Sequence, residues 1–175
     1  MLKSLASLKR GALLAQAVGL AMPASAAILG PHSAACDGHG PALLVRVEGL
    51  KTRSGIVRVQ SYGGDPKHYF DKGSYLERVE VRPAPAGPTE VCLPVPRPGT
   101  YAVSVRHDVN GNSKSELDDG GGLSGNPNVS LMDVILKRRP SPAEVEVQVK
   151  GATTVPIVMN YVHGMSVGPI AEFKR

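Results

Sequence analysis

The chain has 175 residues, a formal net charge of +5 and 42% hydrophobic residues, with 20 glycines, 15 prolines and 2 cysteines. Its length holds one domain, with a core large enough to fold alone. Lys3, Lys9 and Arg10 supply three of the positive charges from a leader without acids, so the rest carries +2, which excludes a nucleic-acid footprint.

That leader has a basic head, an apolar middle from Gly11 to Met22 and the small-residue pattern Ala24-Ser25-Ala26. It predicts a signal peptide over residues 1–26 and an exported mature chain, periplasmic or secreted. The apolar run is too short, and too soon broken by Pro23, for a transmembrane anchor. Ser33-Ala34-Ala35-Cys36 loosely resembles a lipobox, but Pro31 and His32 separate it from the apolar run that a lipobox adjoins. An N-terminal extension, 27–41, follows the leader. The even cysteine count of an exported chain predicts a Cys36–Cys92 disulfide in preference to two free thiols.

From Ala42 onward, short runs alternate apolar and polar residues between Gly and Pro punctuation, the pattern of half-buried strands. Val45 and Val47 share one face, as do Val57 and Val59, Val79 and Val81, then Val91, Leu93 and Val95, then Tyr101, Val103 and Val105. Asp65-Pro66 favours a helix start, so Pro66 to Leu76 is read as a short helix or turn. Val129 to Lys137 is read as a less clearly alternating strand, with further strands at Val145, Val147 and Val149 and at Val155, Ile157, Met159 and Tyr161. Pro156 places that last strand on a sheet edge or starts it later. Lys137-Arg138-Arg139, the one basic cluster, is read as a solvated loop.

The expected architecture is an all-β antiparallel sandwich of about seven to eight strands, immunoglobulin- or transthyretin-like, over residues 42–163, with a tail at 164–175. A barrel is the alternative.

At the end of the strand from Tyr101 stands His107-Asp108-Val109-Asn110-Gly111-Asn112, followed by Glu116, Asp118 and Asp119. Counting Asp108 as position 1 of a calcium loop puts Asn110 at 3, Asn112 at 5, Glu116 at 9 and Asp119 at 12, the alternate oxygen spacing that calcium needs. Ser113 stands where an EF-hand has glycine, and Asp119 where it has the longer glutamate. Asp108, Asn110, Asn112, Asp118 and Asp119 are the candidate metal ligands, and calcium the candidate cofactor. The same residue types also make tight turns bonded to their own backbone, with no ion. His107 shares the parity of Val103 and Val105, so it is read as a core-facing side chain that bonds loop backbone. Cys36-Asp37-Gly38-His39 falls short of the four ligands of a structural zinc site.

Val45-Arg46-Val47-Glu48-Gly49-Leu50, Gly55-Ile56-Val57-Arg58-Val59, Tyr69-Phe70 and the pairing of Pro98-Gly99-Thr100-Tyr101-Ala102-Val103 with His107 to Asn112 together resemble the DUF2141 family of exported bacterial proteins. The likeness covers roughly residues 42–162 and implies a secreted or periplasmic β-sandwich of unassigned function. This chain departs from it in the loop after the Asn-rich turn, which is shortened to Asp118 to Asn128 and keeps Gly125-Asn126-Pro127.

Gly122-Leu123-Ser124-Gly125-Asn126 misses the spacing of a nucleophile elbow, and no phosphate loop, zinc-protease motif or dinucleotide fingerprint occurs. The residues therefore point to a non-enzymatic exported domain, structural or ligand-binding, displaying its loops at 63–75 and 108–128. A calcium-assisted module for cell-envelope glycan or protein is the second reading, and hydrolysis at the Asp-rich loop the third.

Overall fold

A computed structural model describes residues 27–38 and 40–173; the proposed signal peptide at 1–26 and His39 lie outside the described residues. The strands are β1 (Ile28–Leu29), β2 (Ala42–Glu48), β3 (Ile56–Gly63), β4 (Glu77–Val81), β5 (Thr89–Pro94), β6 (Gly99–Asp108), β7 (Gly120–Leu123), β8 (Val147–Val149), β9 (Ala152–Val158), β10 (Tyr161–His163) and β11 (Ser166–Gly168). One sheet runs β1-β5-β2-β9 and the other β4-β3-β6-β7, with β8 also pairing β6. The two sheets pack face to face as an all-β sandwich, as the alternation of the sequence predicts.

The core consists of the inward residues of both sheets. Val45 stands opposite Val91 in one sheet and Val59 opposite Val105 in the other, and all four are almost wholly excluded from water. Burying a valine or leucine of this kind contributes roughly 1.5–3 kcal/mol. Outward positions carry charge instead: Arg46 pairs with Glu48 at 2.8 Å and Glu90 at 3.0 Å, and Arg58 with Glu80 at 2.6 Å.

Several elements differ from the sequence reading. Two pairings, β1 with β5 and β2 with β9, are parallel, so the sandwich is not wholly antiparallel. Residues 129–137 hold no strand but the short helix α1 (Leu131–Ile135), nucleated by a capping box in which Ser130 and Asp133 bond each other's backbone N–H. Val145 ends a second helix, α2 (Pro142–Val145), built on the same device with Ser141 and Glu144. Part of the Gly-rich segment is strand β7, and the segment read as a tail supplies β11, which closes a hairpin on β10.

Other expectations hold. Pro66–His68 forms one 3₁₀ turn capped by Asp65, whose carboxylate accepts from the Lys67 N–H at 3.0 Å. Strand β9 is a sheet edge, so the missing N–H of Pro156 disrupts no ladder. Asn126 covers that edge, its Oδ1 accepting from the Val158 N–H at 2.7 Å and its Nδ2 donating to the Pro156 carbonyl at 3.0 Å. One amide side chain thus satisfies two main-chain groups, as a neighbouring strand would.

The outer face of the second sheet carries a small satellite core of Tyr62, Tyr69, Ala102 and Val145. Phe70 packs edge-on to Tyr62, with ring centroids 5.1 Å apart, and holds a φ of 65°, unusual for a bulky residue. Arg139 fixes this loop by donating to the Tyr69 carbonyl at 3.1 Å and to the Asp71 carboxylate at 2.5 Å. The basic cluster is therefore not wholly solvated: Arg139 is a clamp, because its fork reaches carbonyl and carboxylate together.

Cys36 and Cys92 are bonded, tying the 3₁₀ turn Ser33–Cys36 across the outward side of β5. At a sequence separation of 56, the bridge removes about 4 kcal/mol of loop-closure entropy from the unfolded chain. Replacing both cysteines by serine is expected to lower the unfolding free energy by about that amount, measured by urea titration, and reductant is expected to reproduce the loss in the parent protein.

Candidate functional site

The sequence-derived metal residues lie where β6 ends and the chain turns toward β7. Asp108 is the last residue of β6 and is 3% exposed. Its Oδ1 accepts from the Gly111 N–H at 2.9 Å, and its Oδ2 from the Ser113 N–H at 2.8 Å and from Arg106 at 2.9 Å. Burial pushes this carboxyl up, but the Ser113 bond, Arg106 and the Gly111 bond outweigh it and hold the pKa below the ordinary 3.8. Asp108 is therefore a buried, ionised pivot.

The turn repeats this device at alternate residues. Asn110 Oδ1 accepts from the Asn112 N–H at 3.0 Å, and Asn112 Oδ1 from the Lys114 N–H at 2.7 Å. Such local bonds hold the backbone in a tight coil, and Gly111 and Ser113 take the positive φ values of 71° and 63° that it requires. Ser113 thus adopts the left-handed geometry that an EF-hand assigns to glycine. Both asparagine amides donate to Glu116 Oε2, at 2.6 and 3.0 Å.

Asp119 closes the loop, accepting at Oδ1 from the Val109 N–H and at Oδ2 from the Glu116 N–H, each at 3.2 Å. Asp118 is not brought in. Its side chain is 94% exposed and stands 3.9 Å from Lys51 Nζ. The structure therefore gathers Asp108, Asn110, Asn112, Glu116 and Asp119 into one loop and leaves Asp118 outside it. Among the described residues, no three His, Cys, Asp or Glu side chains are grouped as for a metal ion. The converging groups here are carboxylates interleaved with amides, and their oxygens accept the turn's own N–H groups.

Beneath the turn lies a contact that sequence reading half anticipated. His107 is buried, as its parity predicts, and its Nε2 lies 2.9 Å from the Ser54 carbonyl, an acceptor only. The ring nitrogen there must be the donor, so in the neutral imidazole Nδ1 accepts from the Tyr161 hydroxyl at 2.7 Å. Tyr161 in turn accepts from the Lys51 N–H at 3.2 Å. This chain of bonds ties the loop before β3, the end of β6 and the start of β10 together. Tyr161 was invisible as a partner because it lies 54 positions beyond His107. Burial raises the Tyr161 pKa to about 12, and burial chiefly, with Lys51 nearby, lowers that of His107.

Two hydroxyls near these loops, those of Ser124 and Ser74, bond main chain. Ser124 is buried, donates to the Val145 carbonyl and accepts from the Val103 N–H at 2.9 Å. His68 and Asp71 lie 3.0 Å apart, yet Ser74 bonds the main-chain carbonyls of both residues and not the imidazole. His39, the fourth residue of the motif Cys36 to His39, lies outside the described residues.

Because His107 is held neutral, the unfolded chain takes up a proton below about pH 6.5 that the folded chain refuses. Stability is therefore expected to fall as the pH drops from about 7 to about 5, and to be flat above that window. In His107→Gln the slope over this window is expected to shrink, as measured by urea unfolding at each pH.

A family model described as an uncharacterized protein conserved in bacteria (DUF2141) matches residues 45–156. No curated protein and no solved structure matches the chain.

Proposed function

The chain belongs to the DUF2141 family of bacterial proteins, whose function is unassigned, and from that premise we propose that it is a non-enzymatic exported domain, structural or ligand-binding, whose Asp108 to Asp119 turn holds calcium weakly. The observation that carries this reading is the coil of alternate Asx bonds at Asp108, Asn110 and Asn112, with Glu116 converging on both amides. Asp108 Oδ2 and Glu116 Oε2 each already accept two hydrogen bonds, but Asp108 Oδ1, the two asparagine Oδ1 atoms and both Asp119 oxygens accept one each and keep a lone pair for an ion.

The fit is partial, and it sets the affinity. An ion must displace the two amide bonds to Glu116 and share Asp108 with Arg106, which already neutralises it at 2.9 Å. Two of the ligands are neutral amides. These features argue for the weak range of extracellular modules, about 10⁻⁴ to 10⁻³ M, and for a structural ion rather than a signal.

Export is supported by the leader and by the Cys36–Cys92 bridge, since disulfides persist in oxidising compartments. No helix of the described residues is long and apolar enough to cross a membrane. The hydroxyls of Ser124 and Ser74 bond main-chain carbonyls, so the hydrolytic reading gains no nucleophile from either. The glycan-binding reading draws no particular support, because Tyr62 and Tyr69 are buried in the satellite core.

Millimolar calcium is expected to raise the melting temperature of the purified protein, by mass action on the folded state. Magnesium is expected to do so less, because it demands a tighter octahedral shell. In Asp108→Asn the calcium response is expected to vanish. No shift in the parent protein at millimolar calcium would refute the ion and leave a self-bonded turn.

A further inference from the structure

Beside the turn lies a cleft of about 300 Å³, at the small end of ligand sites, which run roughly 300–1,000 Å³. Its floor is β7 and its walls are Leu117, Leu123, Val134, Val162 and Val167. Gly121 faces outward next to Arg106 on β6, and a Cβ placed on it would meet nothing within 4 Å. The neighbouring glycines differ: at Gly122 a Cβ would stand 2.6 Å from Ile157, and at Gly120 it would run into the Tyr161 ring. Packing therefore accounts for Gly120 and Gly122. At Gly121 the missing side chain is the cleft itself.

Of the seven large apolar side chains exposed among the described residues, Leu117 and Val134 line this cleft, and Met132, Ile135, Leu136 and Met165 belong to the helix and hairpin segments that supply its other walls. Exposed apolar side chains gathered on neighbouring segments are a common mark of binding surfaces. The chemistry of the polar groups narrows the occupant. Glu116 and Asp119 line the cleft, and its one cation, Arg106, is already paired with Asp108, so nothing there complements an anionic head. A peptide strand is excluded as well, since the Gly121 N–H and carbonyl are bonded to Asn160 at 2.9 and 2.8 Å, and Asn126 occupies the β9 edge.

We infer that this cleft binds a neutral, predominantly hydrocarbon small molecule, laid across Gly121 between α1 and the β10–β11 hairpin. The inference is independent of calcium and is tested with a chelator present, so that failure of one reading leaves the other intact. The neutral fluorophore N-phenyl-1-naphthylamine is titrated into the purified protein, with 1-anilinonaphthalene-8-sulfonate as its anionic counterpart. The neutral probe is expected to give a saturable one-to-one rise in fluorescence and to bind more tightly than the anionic one. In Gly121→Leu, whose Cβ meets nothing within 4 Å and whose side chain takes up space in the cleft, its affinity is expected to fall at least about tenfold, with the melting temperature little changed. Val134→Asp, on a half-exposed wall, is expected to weaken it likewise. The inference is overturned by no saturable rise, by equal binding in both variants, by preference for the anionic probe, or by light scattering that shows a dimer dissociated by Val134→Asp.

Discussion

Tyr161 reaches from the start of β10 across the end of the sandwich, and its hydroxyl donates to His107 at 2.7 Å while accepting from the Lys51 N–H. His107 passes the polarity on to the Ser54 carbonyl. Every donor in this buried chain has one acceptor, and every link joins a different segment of the sequence. Leaving one buried group unpaired costs about 1–3 kcal/mol, so the three segments are held in one arrangement. Asp108 follows His107 directly, and its turn is built outward from that anchored point.

The same contact dictates what stands next to it. Tyr161 packs against β7 where Gly120 leaves room for its ring, and Ile157 occupies the space that a side chain at Gly122 would need. A strand of three successive glycines is intrinsically poor, because it loses backbone entropy and packs no side chain of its own. It persists because it is paired with β6 on one side and bridged to Asn160 on the other. Two features of the outer surface follow: a self-bonded acidic turn, and an apolar cleft floored by main chain.

Where a residue's neighbour is close in sequence, or its face follows from alternation, the chain was readable. The core parity of His107, the Asp65 cap, the edge position around Pro156 and the Asx spacing from Asp108 all rest on local rules. The failures have local causes too. Helix α1 spans five residues, too few for a period to declare itself, and its signal was the Ser130–Asp133 capping box. Strand β7 is nearly all glycine, so it carries neither propensity nor alternation.

Long-range placement was not readable at all. Arg106 on Asp108, Tyr161 on His107, Arg139 on the Phe70 loop and the parallel pairing of β2 with β9 depend on how distant strands are laid together. Within the site, the spacing pointed to Asp108, Asn110, Asn112 and Asp119 but could not show that Asp118 turns outward toward Lys51. Nor could it show that Arg106 already shares the pivotal carboxylate, the feature that most limits any ion there.

The claim that this turn accepts an ion at a preformed coil rests most directly on the amides that bond its oxygens. A calcium titration followed by amide nitrogen–proton NMR reads them individually. Saturable shifts at Gly111, Ser113 and Lys114, with a midpoint of about 10⁻⁴ to 10⁻³ M and little change in the core strands, are the expected result. Amide positions that stay fixed throughout that range would contradict it, and would leave the turn as a structural knot alone.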